Sequence, residues 1–303
     1  MAFSVKKNLA ALYLIKIAKW MNLIMPVIVL FYKSNGLTMK DIFLLQSVYS
    51  LTLMTLEIPT GYFADRTGRK NSILIGASLG FAGSLTYSLS FGFWQFVVAE
   101  IILGISQSLV SGADSAMLYD TLAGGKQTEK YTKLEGRITS IGNFGEAFAG
   151  IIGGLLAVLS LRTPFYVQTC VALIAIPAAL MLTEPPVQTI KRKFGFSEIR
   201  SILFKSLHGD VKLKWNTFFS AITGAATLTM AWFAQPYFGQ IQIPVSMYGV
   251  LWAALNLSVG VAAIVAWRFE KRFGAPITVI LFTSAIFGSY LALPFMPGYT
   301  VLG

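Results

Sequence analysis

Apolar residues recur along this chain in runs of about twenty, the length an α-helix needs to cross the hydrocarbon core of a bilayer. The runs fall near residues 11–32, 42–63, 72–92, 94–119, 138–161, 164–183, 216–239, 246–267 and 276–296. Polar residues collect in the mostly short links between them, so neighbouring helices are expected to be antiparallel. The pattern predicts an all-α, polytopic membrane protein with about nine transmembrane helices. Composition agrees: 55% of the 303 residues are hydrophobic and only 12% are charged, which excludes an ordinary soluble domain.

The net charge of +11 changes the picture less than it first suggests. With the N-terminus inside, every Lys and Arg except Lys33, Lys40 and Arg162 falls at the inner side. That is the positive-inside pattern of a multi-pass protein, and it points to lipid and not to nucleic acid as the partner of the basic residues. Lys16 and Lys19 are expected to snorkel to the inner surface. They also interrupt the first run, which has no small-residue cleavage site, so no signal peptide is expected. Cys170, the single cysteine, excludes an intramolecular disulfide and is expected to pack inside the sixth run. Short loops and the lack of a targeting pattern favour a bacterial plasma membrane, with the N-terminus cytoplasmic.

The long link is residues 184–214, which opens on Glu184-Pro185-Pro186, a helix stop, and then carries seven basic residues. Within it Ser197 can cap a short helix with Ile199, Ile202, Leu203 and Leu207 on one face, suited to lie on the membrane surface. The link divides the chain into 1–183, a six-helix bundle; 184–214, a cytoplasmic loop; and 215–303, with helices seven to nine. "GYFADRTGRKNSILIG" between runs two and three is echoed by "AWRFEKRFGAPITVIL" between runs eight and nine. Gly68 and Gly274 correspond, an offset of about 206 residues, as in a parallel repeat of six-helix halves. By that count the second bundle is expected to be incomplete and the chain truncated after its ninth helix.

The first of these links packs Asp65, Arg66, Arg69 and Lys70 into six residues. Residues 61–70, "GYFADRTGRK", resemble the loop signature of the major facilitator superfamily, and the helix order resembles that family throughout. The resemblance implies a fold of two six-helix bundles and transport of a small molecule, not enzymatic catalysis. It implies a gate latch made of Gly61, Asp65, Arg66, Gly68, Arg69 and Lys70. Gly68 permits the tight turn. Asp65 would face a helix N-terminus in the opposite half, which this chain lacks. Arg69 would pair with Asp120 at the end of run four. Arg66 and Lys70 also fit a plain positive-inside anchor.

An ionisable group inside the membrane costs on the order of 2.5–3.5 kcal/mol on insertion scales, so each one needs a reason. In run four Glu100, Gly104, Gln107, Ser111 and Asp114 form one narrow helical stripe. It lines either a wet cavity or a neighbouring helix, and a cavity is the expectation for a transporter. Glu57 and Asp114 fall at similar depth; facing carboxylates would share a proton and could couple it to transport. The alternative has Glu57 bonded locally beside Pro59.

Run five, "GRITSIGNFGEAFAGIIGG", partly matches the family's antiporter signature through Gly136, Gly145, Gly150, Gly153 and Gly154, although Ala149-Gly150 replaces its Gly-Pro. Many proton-coupled members carry an arginine near the place of Glu100. Glu146 is a further cavity candidate. Later runs offer Asn216, Gln235 and Asn256 with Trp232, Tyr237, Tyr248 and Trp252. An acidic first half facing these aromatics suits an amphipathic or cationic solute. For Trp94, Tyr237 and Tyr248 an interfacial belt is the expected reading.

The resulting expectation is a secondary transporter, with proton-coupled efflux ahead of uptake of a sugar, metabolite or anion. A non-transporting fragment of such a protein is the other alternative, and a full-length form is expected to be a monomer. No cofactor or metal is expected, only a proton gradient. The sole histidine, His208, and the absence of any HExxH motif argue against an enzyme.

Overall fold

In a computed structural model the described residues are 3–186, 211–292 and 295. The surface helix foreseen around Ser197, and His208, lie outside them. The described chain is helical, and six of its helices are long and apolar enough to cross a membrane. It forms two compact units, Met1–Lys191 with Val245–Ala253, and Arg192–Pro244 with Ala254–Gly303. The start of the eighth run, Val245–Ala253, groups with the first unit.

The first unit begins with α1 (Val5–Trp20) and α2 (Ile28–Ser34). These correct the single helix expected over 11–32. Pro26 has no N–H and disfavours helical geometry at Met25, so the chain unwinds between the two. An open backbone inside a membrane needs partners. Leu23 finds one, its N–H donating to Gln168 Oε1 at 2.9 Å.

Next come α3 (Met39–Thr67), α4 (Arg69–Leu89), α5 (Phe93–Gly124), a single 3₁₀ turn, α6 (Tyr131–Leu159) and α7 (Thr163–Met181). A capping box fixes the start of α3. The Thr38 hydroxyl accepts from the Asp41 N–H at 3.3 Å, and Asp41 Oδ2 accepts from the Thr38 N–H at 2.9 Å. Only Gly68, at φ +102°, separates α3 from α4. The helix α5 is central, packing on both α3 and α4, while α7 packs on α4 and α1.

Small polar side chains join these helices without charge. Thr60 and Ser108 hydroxyls lie 2.6 Å apart, and Ser72 Oγ donates to the Leu109 carbonyl at 2.8 Å. At one end Leu12, Ile15, Ile73, Met117 and Leu122 make the apolar core. There Asn8 is fully used, giving and taking bonds with Thr183 and donating to Thr121. Cys170 is exposed on α7, which corrects its expected burial in protein. Its helix packs on α4 and α1 through other positions.

The second unit contains α8 (Val211–Gln240), most of α9 (Val245–Phe273) and α10 (Ala275–Ala292). Tyr290 on α10 donates to the Ala226 carbonyl on α8 at 2.7 Å. Trp215, Phe218, Ile222 and Leu228 are exposed, as suits helices that meet lipid.

Candidate functional site: charges inside the first bundle

Arg69 opens α4, and its Nε lies 2.6 Å from Asp120 Oδ2 at the far end of α5. Asp65, one turn earlier and half-exposed, is 3.4 Å from the same guanidinium. One arginine thus joins the ends of three helices. Arg66 is exposed.

Gly68 is needed twice over. Its φ suits glycine, and a methyl group there would stand 2.6 Å from Glu184 Oε1. That oxygen accepts the Lys70 backbone N–H at 2.7 Å, filling one of the open donors at the start of α4. The Lys70 ammonium donates to the Leu180 carbonyl at 3.2 Å, at the end of α7. Glu184 was legible only as a helix stop; an acid opening an otherwise basic loop was the available signal. Gly61 has open space beyond its Cα, which a methyl at Gly112 on α5 would approach to 3.7 Å.

Deeper in the bundle lies an ion network. Lys16 Nζ is 3.1 Å from Glu135 Oε1 and 3.4 Å from Asp114 Oδ2, while Lys19 Nζ is 3.6 Å from the same Asp114 oxygen. Ser115 completes it: its N–H donates to Asp114 Oδ1 at 2.6 Å, and its hydroxyl to Glu135 Oε1 at 3.1 Å. Lys16 and Asp114 are both buried. Two expectations are corrected here. The lysines do not snorkel to the surface, because α1 packs on α5 and α6 and places acids within their reach. Asp114 answers these lysines and not a facing Glu57, which is exposed on α3. Glu135, unrecognised in the sequence, sits in a link that reads as merely basic.

At the other end of α5, Glu100 is 4% exposed. Its Oε1 accepts from the Tyr32 hydroxyl at 2.8 Å, the Tyr87 hydroxyl at 3.1 Å and Gln46 Nε2 at 3.3 Å. Rings close around it. Phe31 and Phe165 stack with centroids 3.8 Å apart, and Phe96 meets Tyr32 edge-on at 5.2 Å. Gly104, one turn on, packs against α3, where a methyl would come within 2.9 Å of Thr52. The polar stripe therefore does not line a cavity at this half; it makes helix–helix contacts. Its other members, Gln107 and Ser111, are half-buried.

Arg162, noted in the sequence only as an outlier of the charge pattern, clamps this end. It donates to the carbonyls of Ser88 at 2.7 Å and Ser90 at 2.8 Å and to Asn35 Oδ1 at 2.8 Å. Its guanidinium also lies over the rings of Phe91 and Phe31, at 4.0 and 4.9 Å.

Along α6 the glycines differ. Gly136 has nothing near it, and Gly145 only Met21. Gly150 faces Trp252, Gly153 is pressed on the Leu23 carbonyl, and a methyl at Gly154 would come within 2.6 Å of the Gly249 nitrogen. Gly142 belongs with them, facing Trp20. Glu146, half-buried, lies one turn before Gly150 on the same helix. The close approach at Gly150 and Gly154 draws the start of α9 into the bundle and buries Tyr248, which an interfacial belt does not explain. Trp94 is 77% exposed, as a belt residue is. In α8 and α9 Trp232 and Gln235 are buried, Tyr237 and Asn256 half-buried, and Asn216 exposed. Among the described residues no group of His, Cys, Asp and Glu could hold a metal ion.

The family model described as Major Facilitator Superfamily matches residues 10–303. The chain is 24% identical over 209 residues to the Quinolone resistance protein NorA of Staphylococcus aureus (strain MSSA476), covering 69% of this chain and 51% of that protein. It is 23% identical over 163 residues to Multidrug resistance protein 2 of Bacillus subtilis (strain 168), covering 54% and 40%. The chain thus spans about half the length of the curated relatives it matches. The crystal structure of nucleoside transporter NupG aligns with a TM-score of 0.75 at 14% identity, over 89% of this chain and 69% of that one. A D-xylose–proton symporter aligns with a TM-score of 0.61 at 14% identity, over the same shares. These structural likenesses speak for the fold alone.

Proposed function

The chain belongs to the major facilitator superfamily, and on that premise we propose that it serves secondary active transport of a small organic solute by alternating access, as proton-coupled efflux. The observation that carries the reading is the network in which buried Lys16 and Asp114 meet half-buried Lys19 and Glu135. Two cations and two carboxylates balance. A proton added to either carboxylate leaves unmatched positive charge inside the membrane, and a change of helix packing relieves it. Protonation and conformation are linked in this way without any cofactor beyond a proton gradient.

The Asp65–Arg69–Asp120 contacts suit a latch. They are partly exposed, so they form and break at modest cost. The drug-resistance names of the relatives support efflux. The basic links support a cytoplasmic N-terminus in a bacterial plasma membrane. Uptake of an anionic solute is the second reading, supported by Lys19, whose side chain is 26% exposed beside Asp114.

The test is fluoroquinolone movement in vesicles carrying the protein under an imposed pH gradient. Transport is expected to stop when the gradient is collapsed, and in Asp114→Asn and Lys16→Met. Gradient-independent movement, or full transport by Asp114→Asn, would overturn the proton-coupled reading.

A further inference from the structure

We propose that Arg162 and the rim around it form a docking site for an anionic phospholipid, whose phosphate meets the edge of the guanidinium. Arg162 immediately precedes α7, at the end of the first bundle away from the basic links, and reaches the turn between α4 and α5. A guanidinium has five N–H donors, and here they are not all spent. Nη1 donates to the Ser88 and Ser90 carbonyls and Nη2 to Asn35 Oδ1. The Nε–H and one Nη2–H have no partner among the described residues. Phe31 and Phe91 lie over the guanidinium, so its edge is the part an anion can meet. Two N–H groups on such an edge fit two oxygens of one phosphate.

The three acceptors hold the side chain in place but do not answer its charge, because all of them are neutral. Among the described residues no carboxylate forms an ion pair with Arg162. The surroundings have the same sign. The segments around it, 33–41, 88–94 and 159–163, carry Lys33, Lys40 and Arg162 against one acid, Asp41. Three cations against one carboxylate leave this end with a net charge of +2. Asp41 is itself spent on the Thr38 capping box. These three cations are also the ones that the inner-side charge pattern leaves unexplained.

The rim decides between a free anion and a lipid. Leu89, Phe91, Trp94 and Leu159 flank Ser88, Ser90 and Arg162 along the chain, and all four are exposed. A small anion would use the guanidinium edge and leave that surface untouched. A phospholipid uses both, with its chains on the apolar side chains and the tryptophan at headgroup level. The net positive charge favours a headgroup without an ammonium, phosphatidylglycerol over phosphatidylcholine.

The test is photolabelling of the full chain in detergent by phosphatidylglycerol with a diazirine in its headgroup, read by peptide mapping. Saturable labelling is expected within 33–41, 88–94 or 159–163. Unlabelled phosphatidylglycerol is expected to displace it at least tenfold better than phosphatidylcholine, diacylglycerol or inorganic phosphate. Arg162→Gln is expected to lower labelling of these segments at least fivefold, and to leave labelling of the basic link 126–137 unchanged. No labelling at this end, or equal labelling in wild type and Arg162→Gln, overturns the site and leaves Arg162 a clamp alone. Displacement by inorganic phosphate as good as by phosphatidylglycerol overturns the lipid in favour of a free anion. Equal displacement by phosphatidylcholine or diacylglycerol makes the rim a general lipid surface and overturns it too. If Arg162→Gln does not fold, the displacement ratios in wild type decide alone.

Discussion

Two carboxylates on one helix, about 21 Å apart at 1.5 Å per residue, are buried in opposite ways. Asp114 is matched by charge, with Lys16 and Lys19 reaching it from α1. Glu100 is matched by dipoles, with Tyr32, Tyr87 and Gln46 converging on one oxygen inside a shell of rings. The first arrangement needs its acid ionised, since the lysines have no other full compensation. The second tolerates a neutral acid, since hydroxyls and an amide serve either form. A membrane acid can thus be part of a charge balance that a proton upsets, or part of a packed wall that a proton barely disturbs.

The largest expected effect is at the charged end. Asp114→Asn leaves two lysines facing one remaining acid, Glu135, and is expected to cost about 3–5 kcal/mol, read as a lower unfolding temperature in detergent. Lys16→Met combined with it should recover much of that loss. If the two substitutions simply add, the network is not a balance and the comparison fails.

Arg162→Ala tests the clamp at the other end. It removes bonds to two carbonyls and Asn35, and about 2–3 kcal/mol of stability should go with a charged donor of this kind. The aromatic shell beneath it should loosen too, seen as lower near-ultraviolet dichroism.

Glu100 sharpens the contrast. Glu100→Gln keeps an acceptor and is expected to cost under about 1 kcal/mol, while Glu100→Ala strands three donors and costs about 1–3 kcal/mol. A Glu100→Gln loss as large as that of Asp114→Asn would mean Glu100 is held as a charge after all.

The smallest effect belongs to the latch. Asp120→Asn should cost only about 0.2–1 kcal/mol, as partly exposed pairs do. Its mark should be on transport rate in the vesicle assay, and a rate unchanged within error would leave Arg69–Asp120 as a mere anchor.

Much of this architecture was legible beforehand because its cause is local. Twenty apolar residues must become a helix in lipid, where no other partner serves the backbone. Gly68 beside Asp65 and Arg69 marks a tight, charged turn whatever surrounds it. Asp120 could be named as the partner of Arg69 because the resemblance of residues 61–70 to the family's loop signature implies an acid at the inner end of the fourth run. The break after Trp20 was less visible, since Pro26 signals a kink but not that Gln168 will satisfy the opened backbone.

Side-chain direction across helices was a different matter. Periodicity places Lys16, Lys19, Glu57, Glu100 and Asp114 on faces of their own helices, but it does not say which helix each face will meet. Apart from the break in the first run, the spans, the charged turn and the family resemblance could be read from the residues alone. It took the packed helices to show that Lys16 answers Asp114 and Glu135, that Glu100 is walled in by tyrosines, and that Gly142 packs on Trp20 and Gly150 on Trp252. The physical reason is one of range: helix formation in a membrane depends on the segment alone, whereas a buried charge is settled by whichever partner comes within hydrogen-bonding reach when helices distant in sequence pack.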